Sequence, residues 1–163
     1  INIHRSPLCG RNFEYYSEDP LVAGKLAAAM VRGIQSQHIS ACVKHFCCNN
    51  KETKRYASDS RLSERALREI YLRAFQIVVK EAKVLAVMTS YNLLNGIYTA
   101  ENFDLLTGIL RKEWSFSGLI ITDWDDWEEH YRGCWQATMS ACHMAVPSDY
   151  KRQWDSASSP ESS

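Results

Sequence analysis

The sequence predicts an α/β fold in which parallel strands alternate with helices. Short apolar runs rich in β-branched residues, such as residues 118–123, have the composition of buried parallel strands. Stretches of about 15 residues with helical spacing separate these runs, as expected for βα units. A complete (β/α)8 barrel needs typically ~250 residues, whereas this chain has 163. The pattern therefore leaves two alternatives, a small open α/β sheet or a piece of a barrel.

Composition excludes two classes of partner. The chain carries 19 Lys and Arg against 19 Asp and Glu, so it has no excess charge to attract nucleic acid or an anionic membrane. No apolar run approaches the ~20 residues of a membrane span. The first residue is Ile1 rather than Met, which leaves a removed leader, and hence secretion, as an open alternative.

Six cysteines bear on the compartment. We interpret most of them as small buried hydrophobic residues in a reducing, cytoplasmic environment. A disulfide framework stays open as the alternative, and no pair has the Cys-x-x-Cys spacing of a zinc site. The cysteines are Cys9, Cys42, Cys47, Cys48, Cys134 and Cys142.

The first helix is predicted to follow an irregular stretch over residues 1–17. Glu18-Asp19-Pro20 supplies the acidic residues and the proline that favour a first helical turn. Gly33 and the polar residues 35–38 end this helix. Its apolar positions recur at roughly helical spacing: Leu21, Val22, Leu26, Met30 and Ile34.

A strand over residues 39–46 and a polar loop come next. Ser63 is expected to cap a helix that runs from Glu64 to about Lys80. The apolar residues of that helix are predicted to share one face: Leu67, Ile70, Tyr71, Ala74, Ile77 and Val78.

The remaining elements lead to and beyond Asp123. A strand over residues 84–89 precedes a turn at Asn95-Gly96. A helix then begins at Glu101 or Asn102 and extends to Trp114, and a strand over residues 118–123 follows it. The rest of the chain is expected to form a helix over residues 125–139, a short strand over residues 141–147 and a disordered tail over residues 150–163.

Asp123 ends its strand with a carboxylate, next to the indole of Trp124. Function in α/β folds gathers at the carboxyl ends of strands, where a carboxylate is well placed to attack or stabilise the anomeric carbon of a sugar. The alternative is that Asp123 caps the helix that follows it. This stretch alone leaves the two roles evenly balanced.

Polar groups also follow the two earlier strands, and parallel strands would bring them to the same rim as Asp123. Lys44 and His45 offer donors for sugar hydroxyls. Tyr91 offers a hydrogen bond that keeps a carboxylate ionised, and Met88, like Trp124, offers an apolar wall for a sugar ring. The structural alternatives are a snorkelling Lys44, a structural His45, and core packing for Met88 and Tyr91.

A series of short motifs then occurs in order along residues 1–130. The motifs are Cys9-Gly10-Arg11-Asn12-Phe13-Glu14, Glu18-Asp19-Pro20, Lys44-His45-Phe46, Asn49-Asn50 with Glu52-Thr53 and Arg55, residues 63–72, Met88-Thr89-Ser90-Tyr91-Asn92 and Thr122-Asp123-Trp124. This series resembles glycoside hydrolase family 3, of the β-glucosidase type. As a set, the motifs are far more specific than any one of them.

The resemblance implies a partial (β/α)8 TIM-type barrel domain over residues 1–149 and the chemistry of a retaining glycosidase. It implies that Asp123 is the nucleophile, with Tyr91 beside it and Met88 lining the same pocket. It also implies a set of side chains that hold sugar hydroxyls: Arg11, Lys44, His45 and Arg55. Judged from the residues alone, Arg11 pairs with Glu14 and Arg55 belongs to a solvated loop.

The chain also departs from the family pattern. The acid/base glutamate and an early sugar-binding aspartate are expected outside it, after Ser163 and before Ile1, and Glu128 and Glu129 are not assigned to the acid/base role. Residues 141–144 read Ala-Cys-His-Met where the family usually has Ala-Gly-Asn-Asp. Together with the serine-rich end, that difference indicates a truncated or damaged reading frame.

We therefore expect a fragment, inactive alone, of an enzyme that hydrolyses terminal non-reducing β-D-glucosyl residues. Its expected partners are a small-molecule or oligosaccharide β-glycoside and the missing remainder of its own chain, with no nucleic acid, membrane, metal or organic cofactor. Three alternatives stay open: β-xylosidase-type specificity, a non-catalytic sugar-binding module, and a small autonomous α/β protein whose strand-end residues are structural.

Overall fold

The computed structural model describes residues 1–124, and the strands of these residues form two sheets. The larger sheet has the strand order β1-β3-β6, and its neighbours are all parallel. The smaller sheet pairs β2 with β4 in parallel and β4 with β5 as a hairpin. The predicted α/β fold with parallel strands is confirmed, and within residues 1–124 it forms an open sheet, not a closed barrel. The strands are β1 (Cys42–Phe46), β2 (Asp59–Ser60), β3 (Ala86–Thr89), β4 (Leu93–Leu94), β5 (Ile97–Tyr98) and β6 (Leu119–Ile121).

A helical segment precedes each strand of the larger sheet. The first is α1 (Pro20–Gln35), and the Asp19 carboxylate accepts hydrogen bonds from the first free backbone N–H groups, as predicted. The helix over residues 64–82 is capped by Ser63. It consists of α-helical turns at Glu64–Ala66 and Arg73–Ile77 and π-helical turns at Leu67–Tyr71 and Val78–Ala82. The third is a π-helix, Asp104–Glu113, and short 3-10 turns lie at Asn12–Glu14, Arg55–Ala57 and Thr99–Glu101.

One face of the larger sheet packs against these helices. Val43, Val87 and Ile120 are paired in register across the three strands, and all are buried in a core shared with Leu72 and Phe75 of the 64–82 helix. Phe46 joins this core through edge-on contacts with the rings of Phe75 and Trp114. Side chains alternate along a strand, so Met88 and Ile121, which are half-buried, lie on the opposite face.

The apolar positions that mark α1 in the sequence do not face this core. Leu21, Val22, Leu26, Met30 and Ile34 are exposed. The buried face is built of small residues instead, because α1 approaches the 64–82 helix closely. At Gly24, an added Cβ would lie 2.7 Å from Ile77 Cδ1 and 3.1 Å from Ala74 Cα. The buried residues of α1 are Ala23, Gly24, Ala27, Ala28 and Val31.

The prediction of which face of the 64–82 helix is buried is also partly wrong. Ile70 is 40% exposed, whereas Leu72 and Phe75 are fully buried. The cause is the π-turn at Leu67–Tyr71, since a wider turn shifts the angular position of every residue after it.

Several predictions fall outside the described residues: the helix over residues 125–139, the strand over residues 141–147, the tail over residues 150–163, the departure at residues 141–144, Glu128 and Glu129, and Cys134 and Cys142. The other four cysteines are free thiols; Cys9, Cys47 and Cys48 are buried as predicted, but Cys42 is exposed. Among the helices of residues 1–124, none has the length and apolar character needed to cross a bilayer.

Candidate active site

The amino-terminal segment lies against the carboxyl end of β1 and brings Arg11 to it. The Ile1 amino group donates to the Lys44 carbonyl, and Asn2 Nδ2 donates to the His45 carbonyl at 3.1 Å. Asn50 Nδ2 holds the same segment by donating to the Ile3 carbonyl at 2.7 Å. The loop that carries Arg11 is thereby fixed beside the ends of the parallel strands.

Asp123 and His45 lie side by side at this edge of the sheet. His45 Nε2 is 3.2 Å from Asp123 Oδ2, and both side chains are almost fully buried. The other carboxylate oxygen, Oδ1, accepts the backbone N–H of Trp124 at 2.8 Å. No described group donates a well-aligned hydrogen bond to Oδ2. One oxygen is therefore held in place while the other retains its lone pairs.

Opposing effects set the protonation of Asp123. Burial raises the pKa of its carboxyl above the ordinary value, because the charged form loses hydration. The Trp124 N–H, the Tyr91 hydroxyl and the charges of Arg11 and Lys44 lower the pKa and offset part of that rise. These groups keep the ionised form accessible in a buried site.

His45 is held in its neutral form. Burial, and then the positive charges of Arg11 and Lys44, lower the pKa of the imidazole from 6.5 to about 2. At neutral pH His45 therefore contacts Asp123 as a neutral imidazole. A neutral imidazole has one donor and one acceptor nitrogen, which suits it to a sugar hydroxyl.

Tyr91, which interacts with Asp123, forms a stack with Arg55. The Tyr91 hydroxyl donates to the Trp124 carbonyl. The Arg55 guanidinium lies over the Tyr91 ring, 4.6 Å from its centroid, and over the Tyr56 ring at 5.2 Å. The two tyrosine rings are themselves 4.5 Å apart. This stack fixes Arg55 next to the carboxylate site.

Arg11 and Lys44 complete the cationic side of the site. Arg11 Nε contacts Glu14 Oε1, and Lys44 Nζ lies 3.8 Å from Glu14 Oε2. The charges of both Arg11 and Lys44 act on Asp123 and on His45. The bonding of Arg11 to Glu14 that the sequence suggested is present, and it occurs within the site.

Met88 and Trp124 stand at the edge of this group. Met88 is half-buried on β3 and pairs in register with Ile121, two residues before Asp123. The Trp124 indole is 54% exposed, while its backbone N–H and carbonyl bind Asp123 and Tyr91. The structure thus groups Asp123 with the cations, His45 and Tyr91, and places these two as flanking residues.

Sequence reasoning did not assign site roles to Glu14, Glu52 and Tyr56. Glu14 and Glu52 each pair with an arginine at a spacing of three residues, Arg11 and Arg55. That spacing was visible in the sequence as a charge pattern, but nothing showed that both pairs share one site. Tyr56 carried no signal beyond its position next to Arg55.

Comparison with known proteins supplies an independent finding. Residues 1–148 match the family model described as the glycosyl hydrolase family 3 N-terminal domain. Over 132 residues, 81% of this chain, the sequence is 64% identical to β-glucosidase A of Butyrivibrio fibrisolvens. It is also 46% identical over 151 residues, 92% of this chain, to an exo-α-(1→6)-L-arabinopyranosidase of Bifidobacterium longum.

Solved structures agree with these matches. β-Glucosidase 3B from Thermotoga neapolitana in complex with glucose superposes with a TM-score of 0.75 and 57% identity, covering 76% of this chain and 17% of that one. The chain spans 16% of the length of the Butyrivibrio enzyme and 19% of the Bifidobacterium enzyme.

Proposed function

This chain belongs to glycosyl hydrolase family 3, and from that premise we propose that it carries the nucleophile and sugar-binding side of a retaining β-glucosidase. The whole enzyme would release terminal β-linked glucose from the non-reducing end of a glycoside. The relatives named as β-glucosidases support this substrate class, and a related structure in complex with glucose supports glucose as the sugar.

The state of Asp123 carries the proposal. Its Oδ1 is fixed by a backbone N–H, while its Oδ2 is buried without a hydrogen bond from the described residues. A nucleophilic carboxylate needs this combination of fixed geometry and an available lone pair.

In the proposed reaction, Asp123 Oδ2 attacks the anomeric carbon and forms a glycosyl-enzyme ester. Arg11, Lys44, His45 and Arg55 hold the hydroxyls of the sugar, and Tyr91 helps to keep the carboxylate ionised. A second carboxyl group protonates the leaving oxygen and later activates water. We assign that group, together with an upstream sugar-binding aspartate, to the remainder of the protein.

The same remainder is the proposed partner of the exposed apolar surfaces. Within residues 1–124, β1 and β6 are the edge strands of the larger sheet. The outward stripe on α1 includes Leu26 and Met30, which are about half exposed. Parallel sheets usually have helices on both faces, so further βα units of the protein would extend the sheet at these edges and cover the stripe.

The test uses the full-length product of the gene that encodes this chain. We expect it to hydrolyse an aryl β-glucoside, and we expect Asp123→Asn to lower kcat by roughly 10³-fold or more, because the amide is a poor nucleophile. Asp104→Asn, which changes a carboxylate of the 104–113 helix, is the matched control and should retain activity.

Two results would contradict the proposal. An Asp123→Asn variant with ordinary activity would remove the nucleophile assignment. A folded gene product that binds glucose without turnover would identify a sugar-binding module instead.

A second specificity is worth testing in the same assay. The relative from Bifidobacterium longum is named an exo-α-(1→6)-L-arabinopyranosidase and matches 92% of this chain, against 81% for β-glucosidase A of Butyrivibrio fibrisolvens. Rates with aryl α-L-arabinopyranoside and β-xyloside, measured beside the glucoside, rank the three sugars. A preference for either pentose would replace glucose as the substrate while leaving the role of Asp123 unchanged.

A further inference from the structure

Charged side chains alternate in sign around the rim of the site. Glu14 Oε2 lies 3.8 Å from Lys44 Nζ, and Glu14 Oε1 contacts Arg11 Nε. Glu52 Oε2 accepts a hydrogen bond from Arg55 Nη1 at 3.2 Å. The Glu52 side chain lies close to the Arg11 loop, since a Cβ on the neighbouring Gly10 would be 3.7 Å from Glu52 Cγ.

The electrostatics of Arg11 agree with this arrangement. Burial lowers the pKa of its guanidinium, but the hydrogen bond and charge of Glu14, followed by the charge of Glu52, outweigh burial and raise it. The two carboxylates thus act on the same cation.

These ion pairs differ from those on the surface of the chain. The side chains of Glu14 and Glu52 are only 23% and 26% exposed. By contrast, the Lys25–Glu81 pair joins side chains that are 56% and 43% exposed. Exposed ion pairs contribute little, whereas partly buried pairs are less screened and fix the geometry of their members.

Within the described residues, Arg11, Lys44 and Arg55 bring three cations to one rim, and each of them pairs with Glu14 or Glu52. Long cationic side chains have many rotamers, and anchoring them in advance reduces the entropy lost when they bind a ligand.

We propose that Glu14 and Glu52 are positioning residues that hold Arg11, Lys44 and Arg55 in the orientation that binds the sugar. This inference rests on the proposed function. Neither carboxylate touches the substrate: each acts through the cation it binds. Sugar binding therefore weakens when either carboxylate loses its charge, even if the fold is retained.

The experiment compares Glu14→Gln and Glu52→Gln in the full-length gene product, with Glu81→Gln as the matched control. Each variant replaces a carboxylate in an ion pair by an amide of the same shape. For both site variants we expect the KM for an aryl β-glucoside and the inhibition constant for glucose to rise about tenfold. We expect kcat to fall less than KM rises, the thermal midpoint to stay near that of the unsubstituted protein, and Glu81→Gln to bind glucose normally.

Two further variants separate positioning from a general structural role. Glu14→Asp keeps the charge and should recover part of the glucose affinity that Glu14→Gln loses. In an Arg11→Ala, Lys44→Ala background, Glu14→Gln should have little further effect, because the groups it positions are gone.

The outcomes are distinct. Site variants with unchanged KM, or an effect of Glu14→Gln that persists in full without Arg11 and Lys44, would overturn the positioning role and leave the proposed function intact. An unsubstituted gene product without glycosidase activity would overturn the proposed function itself, and this inference with it.

Discussion

Because of His45, the stability of the folded chain should fall with pH over a range in which the folded imidazole stays neutral. Burial, reinforced by Arg11 and Lys44, lowers the pKa of the folded imidazole from 6.5 to about 2. In the unfolded chain the imidazole titrates near its ordinary pKa of about 6.5. Between these values the unfolded state binds one more proton, so stability is lost as the pH falls.

The size of the effect follows from the linkage relation. Well below the unfolded pKa, each pH unit lowers the free energy of unfolding by up to about 1.4 kcal/mol. Lowering the pH from about 7.5 to 5 lowers it by roughly 2 kcal/mol in all. His45→Gln removes the titrating group, so the free energy of unfolding of this variant should fall by roughly 2 kcal/mol less over the same pH range. Urea unfolding of the 163-residue chain, followed by tryptophan fluorescence across this pH range, measures the difference.

His38→Gln is the control, because His38 is exposed and lies in the turn that follows α1. Its variant should show the same pH dependence as the unsubstituted chain. If His45→Gln also keeps the full dependence, the imidazole is not held neutral by burial, and the account of its contact with Asp123 is wrong.

Three further predictions address packing, the nucleophile and the exposed stripe. Gly24→Ala should destabilise the chain by about 1–3 kcal/mol, because the added methyl group clashes with the facing helix. Gly33 lies in the same helix with open space around it, so Gly33→Ala should stabilise the chain by about 0.5–1 kcal/mol. Urea unfolding measures both changes. Tyr91→Phe should move the acid limb of kcat/KM to higher pH, because the Tyr91 hydroxyl lowers the pKa of Asp123; an unmoved limb would contradict that role. Met30→Lys should reduce the binding of a hydrophobic dye by the isolated chain, which dye fluorescence measures. The same substitution should destabilise the full-length protein, which thermal unfolding measures.

Interactions between residues close in sequence were enough to predict where the helices begin and where the chain turns. Ser63 caps its helix through a side-chain hydrogen bond, as the sequence indicated, and Asp19, expected among the acidic residues of the first turn, caps α1 in the same way. The turn at Asn95-Gly96 joins β4 to β5 with both residues at positive φ, which these residue types adopt readily. Each of these features depends on neighbours within a few residues.

The faces of the helices could not be predicted in this way. Burial of α1 is decided by how closely it approaches the 64–82 helix, so its small residues face inward and its large ones outward. The π-turn before Leu72 shifts the residues that follow it, and the helical period gave no sign of that turn.

The candidate site shows the same division. The ends of the strands were enough to place Lys44, His45 and Asp123 near one another, because parallel strands share a carboxyl edge. The charge network through Glu14 and Glu52 depends on a loop that folds back onto this edge. A one-dimensional pattern of i, i+3 charges does not reveal that fold-back.

The central claim is that Asp123 forms the covalent bond to the sugar. A 2-deoxy-2-fluoro β-glucoside with a good leaving group, incubated with the full-length gene product, should trap the glycosyl-enzyme. Peptide mass spectrometry should then find the fluorosugar on Asp123, and Asp123→Asn should abolish the label. Label on another residue, or no label on a protein that turns over the unfluorinated glucoside, would contradict the claim.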